Sequence, residues 1–361
     1  MKFKRYTLSE LATIKYGKNQ KKVVTDDKRI PIYGTGGLIG YATTSLYDKP
    51  SVLIGRKGSI GKVKYVEHPF WTVDTLFYTV INTDIVIPKY LFYSMSLIDL
   101  NIYNEGTTIP SLRTETLNRL EFNIPSIEDQ ELVLSCLNPI EEKIELNNAI
   151  NNNLEQQALA TYQHMFIDNA SSNWKEGTLS DVAEITMGQS PRSSSYNKDS
   201  IGTIFFQGRA EFGFRFPTIR LYTTEPKRMA CANDALMSVR APVGDINVAH
   251  TDCCIGRGLA AIHSKNNHQS FVLYTMFSLK KRLDIFNGEG TVFGSINKIS
   301  LLEMPILIPP IEKLDEFEML VAPIDITIRN NYDEICCLEQ LRDSLLLSLM
   351  SGELDVSKIN I

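Results

Sequence analysis

From residue 126 the apolar positions of this chain fall four and three apart: Val133, Leu137, Ile140, Ile144, Asn147, Asn151, Leu154, Ala158 and Thr161. An apolar stripe of that period, interrupted by polar residues, is the seam of a helix that pairs with another helix. The rhythm returns near the other end at Phe317, Val321, Ile324, Ile328, Asn331, Ile335, Leu338, Arg342 and Leu345. Two matched stripes in one chain favour an antiparallel pair over two helices that each pack on their own neighbour. Asn147 and Asn331 hold equivalent seam positions, where a buried Asn fixes register at some loss of stability. Pro139 and Pro323 coincide as well, and "NPIEE" at 138–142 has the form of an N-cap, a first-turn Pro and a carboxylate. The pattern therefore predicts a short lead-in helix, a kink, and a longer helix of roughly 28 residues, about 42 Å.

Ahead of each stripe the pattern changes to short apolar runs punctuated by Gly and Pro, which read as strands. They include "SVLIG", "KVKYV" and "TLFYTVI" in the first half and "DALMSV", "DINVAH" and "GLAAIHS" in the second. A helical stretch closes each set, "PKYLFYSMSLIDLNIY" and "HQSFVLYTMFSLKKRLDIF". The two halves repeat one another: "YTLSELATIKYGKN" at 6–19 matches "GTLSDVAEITMGQS" at 177–190, and "SVLIGRKGSIGKV" at 51–63 matches "DALMSVRAPVGDI" at 234–246. The tails "EGTTIPSL" at 105–112 and "EGTVFGSI" at 289–296 match too. The offset drifts from 171 to 183 to 184, so length changes fall in the first part of each copy, where loops absorb them. The tails stand where each α/β head passes to its helix. Their Gly, Thr and Ser are expected to turn and cap the chain there and to fix head against helix.

With 361 residues, 43% of them hydrophobic, the chain can bury an ample core. No long apolar run and no signal-like start occur, which points to the cytoplasm. The six cysteines include two vicinal pairs but no C-x-x-C, and such spacing suits reduced, structural thiols. The net charge of -5 hides a segregation. Residues 1–67 carry 14 basic and 5 acidic side chains and residues 171–310 carry 15 and 12, whereas 126–170 carry 1 and 8 and 311–361 carry 4 and 11. Basic heads alternating with acidic helices are what a phosphate-facing surface produces.

A search for catalytic constellations returns nothing. The sequence has no phosphate loop, no H-E-x-x-H, no G-x-S-x-G and no D-P-P-Y or N-P-P-Y tetrapeptide. "YGTGGLIG" at 33–40 is glycine-rich but reads as a turn, not as a nucleotide cradle. Glu141 and Lys143 lie on the acidic helix as solvated charges, and the five histidines show no metal spacing.

The two tails, the helix "KIELNNAINNNLEQQALATYQHMF" at 143–166 and the closing "LRDSLLLSLMSGELDV" at 341–356 together resemble the specificity (S) subunit of type I restriction-modification enzymes. The resemblance runs end to end. It implies a mixed α/β (α+β) fold with two similar target-recognition domains separated by two long antiparallel coiled-coil helices, an internal repeat of pseudo-two-fold character. The boundaries would be 1–125 for the first target-recognition domain, 126–170 for the first helical spacer, 171–310 for the second domain and 311–361 for the second spacer. Each domain would read one half of a bipartite double-stranded DNA target. Two methyltransferase (modification) subunits and the restriction-translocase subunits would dock on the chain. S-adenosylmethionine, Mg²⁺ and ATP would belong to those partners, leaving this chain non-catalytic, without metal or cofactor. A rod of about 42 Å is commensurate with the roughly 34–36 Å helical turn of DNA.

Affinity then comes from cations on phosphates, sequence choice from side chains at base edges. The candidates in the first copy are Lys18, Asn19, Gln20, Lys21 and Lys22, then Arg56, Lys57, Ser59 and Lys62, then Thr107, Ser111 and Arg113. Those in the second are Gln189, Ser190, Arg192, Gln207, Arg209, Arg240, Arg257, Asn297 and Lys298. Two rival readings stand beside this one: a self-contained DNA methyltransferase or nuclease with an unrecognised site, and a scaffold with two protein-binding heads and no DNA role.

Overall fold

Each copy of the repeat opens on a strand that closes against one at its own far end, and the sheets lie between. A computed structural model describes residues 1–240, 242–288 and 294–356. Its first unit comprises Met1–Glu145 with Ile335–Ile361, and its second Leu146–Glu334, so each long helix is shared between units.

The first unit runs β1 (Lys4–Thr7), α1 (Leu8–Leu11), β2 (Ala12–Tyr16), β3 (Val24–Thr25), β4 (Ile30–Gly34), β5 (Gly37–Ala42), β6 (Ser51–Gly55), β7 (Val63–Val66), β8 (Trp71–Thr72), β9 (Leu76–Ile81), α2 (Pro88–Ser96), α3 (Thr114–Asn118), β10 (Glu121–Ile124) and the start of α4 (Ile127–Tyr162). The second continues with β11 (Lys175–Thr178), α5 (Leu179–Val182), β12 (Ala183–Met187), β13 (Tyr196–Asn197), β14 (Thr203–Phe206), β15 (Tyr222–Thr223), β16 (Met229–Ala230), β17 (Ala235–Val239), β18 (Val243–Val248), β19 (Cys253–Ile255), β20 (Leu259–Ser264), α6 (Gln269–Ser278), α7 (Lys280–Leu283), α8 (Lys298–Leu302) and β21 (Pro305–Ile308), before α9 (Ile311–Ser351).

The units share one frame of elements. β1 pairs with β10 as β11 pairs with β21. A four-stranded sheet of order β2-β9-β6-β7 answers one of order β12-β20-β17-β18. The second sheets are β3-β5-β4-β8 and β13-β15-β14-β19-β16. Each contains one parallel pair, β4 with β8 and β14 with β19. Even the first helical turns agree. The amide of Thr7 donates to Glu10 Oε2 at 2.7 Å, that of Thr178 to Asp181 Oδ2 at 2.8 Å, and these bonds hold both carboxyls below their ordinary range.

The cores form where sheets meet long helices. Leu8, Leu11, Ile54, Phe77 and Tyr90 pack with Val133 and Leu137 of α4 and with Leu346 and Leu349 of α9. In the second unit Leu179, Met237, Ile262 and Phe271 pack with Ala158 and Tyr162 of α4 and with Phe317, Val321 and Ile328 of α9.

The seam lies where its period places it. Val133, Leu137, Ile144, Asn147, Asn151 and Ala158 are buried, as are Phe317, Val321, Ile328 and Ile335; Ile140, Leu154, Ile324, Asn331 and Leu338 are half-buried. In the first unit Glu141 Oε1 lies 3.4 Å from Arg342 Nη1. In the second, Asn147 Nδ2 donates to Glu334 Oε2 at 2.7 Å, Asn331 Nδ2 to Asn151 Oδ1 at 2.8 Å, and Asn151 Nδ2 to the carbonyl of Ile328 at 3.4 Å. Ascending positions on α4 meet descending positions on α9, so the helices are antiparallel.

One expectation fails. No lead-in helix precedes a kink: α4 is continuous over 36 residues and α9 over 41, with Pro139 and Pro323 inside them. At 1.5 Å per residue these span roughly 54 and 62 Å, longer than the 42 Å expected. A mid-helix proline frees the carbonyl four residues earlier. Here both prolines are exposed, as are Ser135 and Met319, so the prolines lie on the solvent side of the helices, where a freed carbonyl can be hydrated and the helix survive.

Among the described residues no two cysteines form a disulfide, no three His, Cys, Asp or Glu side chains gather as metal ligands, and no helix is long and apolar enough to cross a membrane.

Candidate nucleic-acid interface

In the first unit the segment 71–76 is a common floor for three loops. Lys18 N donates to the carbonyl of Thr72 at 2.8 Å, Gly17 N to Leu76 at 3.0 Å, and the Trp71 indole returns a bond to the carbonyl of Lys18 at 2.9 Å. Arg56 N donates to Thr75 at 2.8 Å and Arg56 Nη1 to the carbonyl of Asp74 at 2.8 Å. The root of the β4–β5 hairpin is held by Val73 N on the carbonyl of Tyr33 at 3.1 Å. Side chains add to this: the Arg56 guanidinium lies 5.1 Å from the Tyr16 ring and the Lys64 ammonium 4.1 Å from the Tyr33 ring. Burial holds Lys64 below its ordinary range.

The second unit builds the same frame with different side chains. Gly188 N donates to Leu259 at 2.9 Å, Gln189 N to Ile255 at 2.9 Å, Gly256 N to Phe206 at 2.8 Å and Val239 N to Gly258 at 2.9 Å. A Cβ on Gly17 would overlap the carbonyl of Val73, and one on Gly188 that of Gly256, so both glycines are required by close backbone approach. Arg257 N donates to Ser190 Oγ at 3.2 Å, which joins the 189–192 loop to the 256–258 turn.

The "EGT" tail has a different role from the one its position in the sequence implies. It docks on the basic loop after β6. Lys57 bridges Ser111, Gly58 N donates to Pro110 at 2.9 Å and Leu112 N to Arg56 at 3.0 Å. The tail itself is knotted by Asn104, whose Oδ1 accepts from Gly106 N and Ser111 N, both at 2.9 Å. In the second unit Arg240 bridges Ser295 and Ile296 N donates to Val239 at 3.2 Å. Residues 289–293 of that tail lie outside the described residues.

The candidate side chains fall into three groups. Lys18, Lys21, Lys22, Lys57, Ser59, Lys62 and Thr107 are exposed on the first unit's loops, with Gln20 and Ser111 half-buried; Gln189, Arg192, Gln207, Arg240, Arg257 and Lys298 are exposed on the second, with Ser190 half-buried. Arg56 is anchored against the floor as described. Four others are engaged by their own chain. Asn19 accepts from Lys21 N at 2.9 Å, Arg113 pairs with Glu105 at 3.0 Å, Asn297 caps α8 by accepting from Ser300 N at 2.9 Å, and Arg209 pairs with Asp245. Burial opposes ionisation of Asp245, but Lys280 at 2.8 Å and Arg209 outweigh it and hold the carboxyl below its ordinary range.

The 71–76 floor was not singled out from the sequence, nor was Lys64. Trp71 carries the one available signal, a large aromatic with a polar N–H inside a short strand.

The family model for the type I restriction modification DNA specificity domain matches residues 1–156 and again residues 171–317. The chain is 30% identical over 298 residues to a candidate type I restriction enzyme MjaX specificity subunit of Methanocaldococcus jannaschii, covering 76% of this chain and 70% of that one. It is 23% identical over 350 residues to the MjaIX specificity subunit of the same organism, covering 87% and 80%. The fold is similar to the crystal structure of a type I restriction-modification S subunit from M. genitalium, with a TM-score of 0.59 at 17% identity over 97% of this chain and 96% of that one. A frame of the same hydrogen bonds built twice, on a chain that the family matches twice, has one reading: the chain belongs to the type I restriction-modification DNA specificity family and is a DNA sequence-specificity subunit.

Proposed function

We propose that each unit turns its floor-anchored loops to one half of a bipartite DNA target, while α4 and α9 hold methyltransferase and restriction-translocase subunits that perform all the chemistry. S-adenosylmethionine, Mg²⁺ and ATP then act on the partners, and the complex works in the cytoplasm. The observation that carries this reading is the duplicated frame: Lys18, Lys57 and Ser111 gather on one floor, and Gln189, Arg240 and Ser295 gather on its counterpart. Exposed cations on such loops supply affinity that falls with salt.

The test uses the full chain reconstituted with its methyltransferase subunits and follows duplex binding by fluorescence anisotropy across a salt series. Lys57→Ala and Arg240→Ala are each expected to weaken binding and to lower the slope of log K against log salt by about one. Unchanged slopes in both variants would remove these loops from the interface. Methyl transfer or cleavage by the isolated chain, given cofactors, would instead support a self-contained enzyme.

A further inference from the structure

We propose that the tip of the β4–β5 hairpin, residues 35–39, enters the major groove of the DNA and reads thymine through apolar contact between its 5-methyl group and Leu38 or Ile39. This deepens the DNA-reading role proposed above and rests on it.

Leu38 and Ile39 are 52% and 53% exposed. The register of β4 with β5 shifts between Ile32 and Tyr33, so Ile39 is the extra residue of a bulge, and the strand re-aimed there turns both apolar side chains outward. Gly36 is unusual as well. Its φ is outside the left-handed region and nothing lies within 4 Å of the place its Cβ would take, so neither conformation nor packing within the chain calls for glycine. Gly37, at φ +113°, meets the turn's own requirement. A residue kept small for no internal reason is what close approach by an outside body would select.

The surroundings say which body. Tyr33 at the hairpin root sits under the Lys64 ammonium, and Thr35 Oγ1 lies 3.8 Å from where a Cβ on Gly58 would stand, next to exposed Lys57. An apolar tip beside cations fits a groove with phosphate walls and a floor of base edges, and the major groove admits a two-stranded ribbon. The frame also marks the place. Tyr33 pairs with Thr72 as Phe206 pairs with Ile255, so the residues that follow Phe206, Gln207 to Arg209, are the counterparts of the hairpin tip. One unit carries the exposed polar Gln207 at this site and the other carries apolar side chains.

The experiment selects bound sequences from a randomised duplex pool, using the full chain in complex with its methyltransferase subunits. It compares the native chain with Leu38→Ala/Ile39→Ala, Gly36→Val and Lys57→Ala. The double variant is expected to lose preference at one or more thymines with an unchanged salt slope, and Gly36→Val to assemble normally yet bind the selected duplex at least tenfold more weakly. Replacing those thymines by uracil should weaken the native complex about fourfold, the factor for one buried methyl, and leave the double variant unaffected. The proposal is overturned if the double variant selects the native sequence, if uracil has no effect, or if the variants fail to assemble with the methyltransferase, which would make the hairpin a subunit contact. If the native chain selects no sequence at all, the broader reading fails with it; if it selects one and Lys57→Ala lowers the slope while the hairpin variants do nothing, only the hairpin proposal falls.

Discussion

Arg215 is 3% exposed and lies among three polar groups of the second unit. Its Nη1 is 3.2 Å from Glu155 Oε1 on α4, and its Nη2 donates to Asp325 on α9 and to the Tyr274 hydroxyl on α6 at 2.9 Å. Tyr274 in turn donates to Asp325 at 2.9 Å. Arg215→Met keeps the stem and removes the charge, stranding two carboxylates. Breaking a buried pair typically costs about 3–5 kcal/mol. The side chains of Glu155 and Asp325 are 16% and 22% exposed, so water can reach the bared acids and the low end, about 3 kcal/mol, applies. Burial already lifts Glu155 above the ordinary carboxylate range. Losing its cation lifts it further, so the deficit should shrink as pH falls and Glu155 protonates. Native-state hydrogen exchange is the assay: amides of β17 and β20 should exchange roughly 150-fold faster, while those of β6 and β9 in the first unit keep their protection. Arg215→Met with Glu155→Gln and Asp325→Asn should recover most of the loss. A deficit below about 1 kcal/mol, or an equal loss in the first unit's strands, would show that the cluster is not the second unit's electrostatic clamp.

Two smaller changes test the helix pair and its flank. Asn151→Leu takes the acceptor from Asn331 Nδ2 and should cost about 1–3 kcal/mol in thermal denaturation, whereas Asn151→Leu/Asn331→Leu should regain most of it; equal losses would exclude a specific pair. Burial raises the Glu318 carboxyl, although Ser270 Oγ donates to it at 3.0 Å. A raised folded value favours the protonated form, so its contribution is fully present below the unfolded value of 4.5 and is lost as pH rises through the folded one. Glu318→Gln should therefore gain in urea midpoint over the native chain as pH rises from acid to neutral, and a difference independent of pH would refute this.

The seam was legible because it is periodic: burial at Val133, Leu137, Ile144 and Phe317 follows from spacing alone. The repeat was legible because backbone frames constrain sequence at a few places, Gly17 and Gly188 among them. Proline context was not, since continuation through Pro139 depends on whether Pro139 and Ser135 lie on the solvent side of the helix, as they do. The candidate loops were found from charge, but charge does not reveal a partner 36 positions away, and Arg209 has one in Asp245. Capping misled in the same way: Asn297 reads as a polar base-edge reader until Ser300 N is seen to use it. Of the glycine-rich 33–40 stretch, read as a turn, only Thr35 and Gly36 turn and the rest belongs to β4 and β5, and its neighbours Lys57, Gly58 and Lys64 come from a loop and a strand that periodicity could not assemble.

The frame explains how one fold can serve two different readers. Among the described residues the bonds that fix the loops to the floor are main chain to main chain except those of Trp71, Arg56 and Ser190, so most outward side chains carry little of the frame's stability. They can change without refolding the head. Length can change too, and it does so at the proposed reading tip: β4 and β5 are joined by two residues, whereas β14 and β15 are separated by residues 207–221. A longer arm loses more conformational entropy when it orders on a ligand. Arg215 lies within that arm and is buried against α4, α6 and α9, so the ordering is already done before DNA arrives. The short hairpin needs no such anchor, because two paired strands and the φ-positive Gly37 at its turn hold it. On this argument the Arg215→Met variant should lose DNA affinity through the second unit's arm while leaving the first unit's base preference intact, and selection from the randomised pool would separate those two halves of the target.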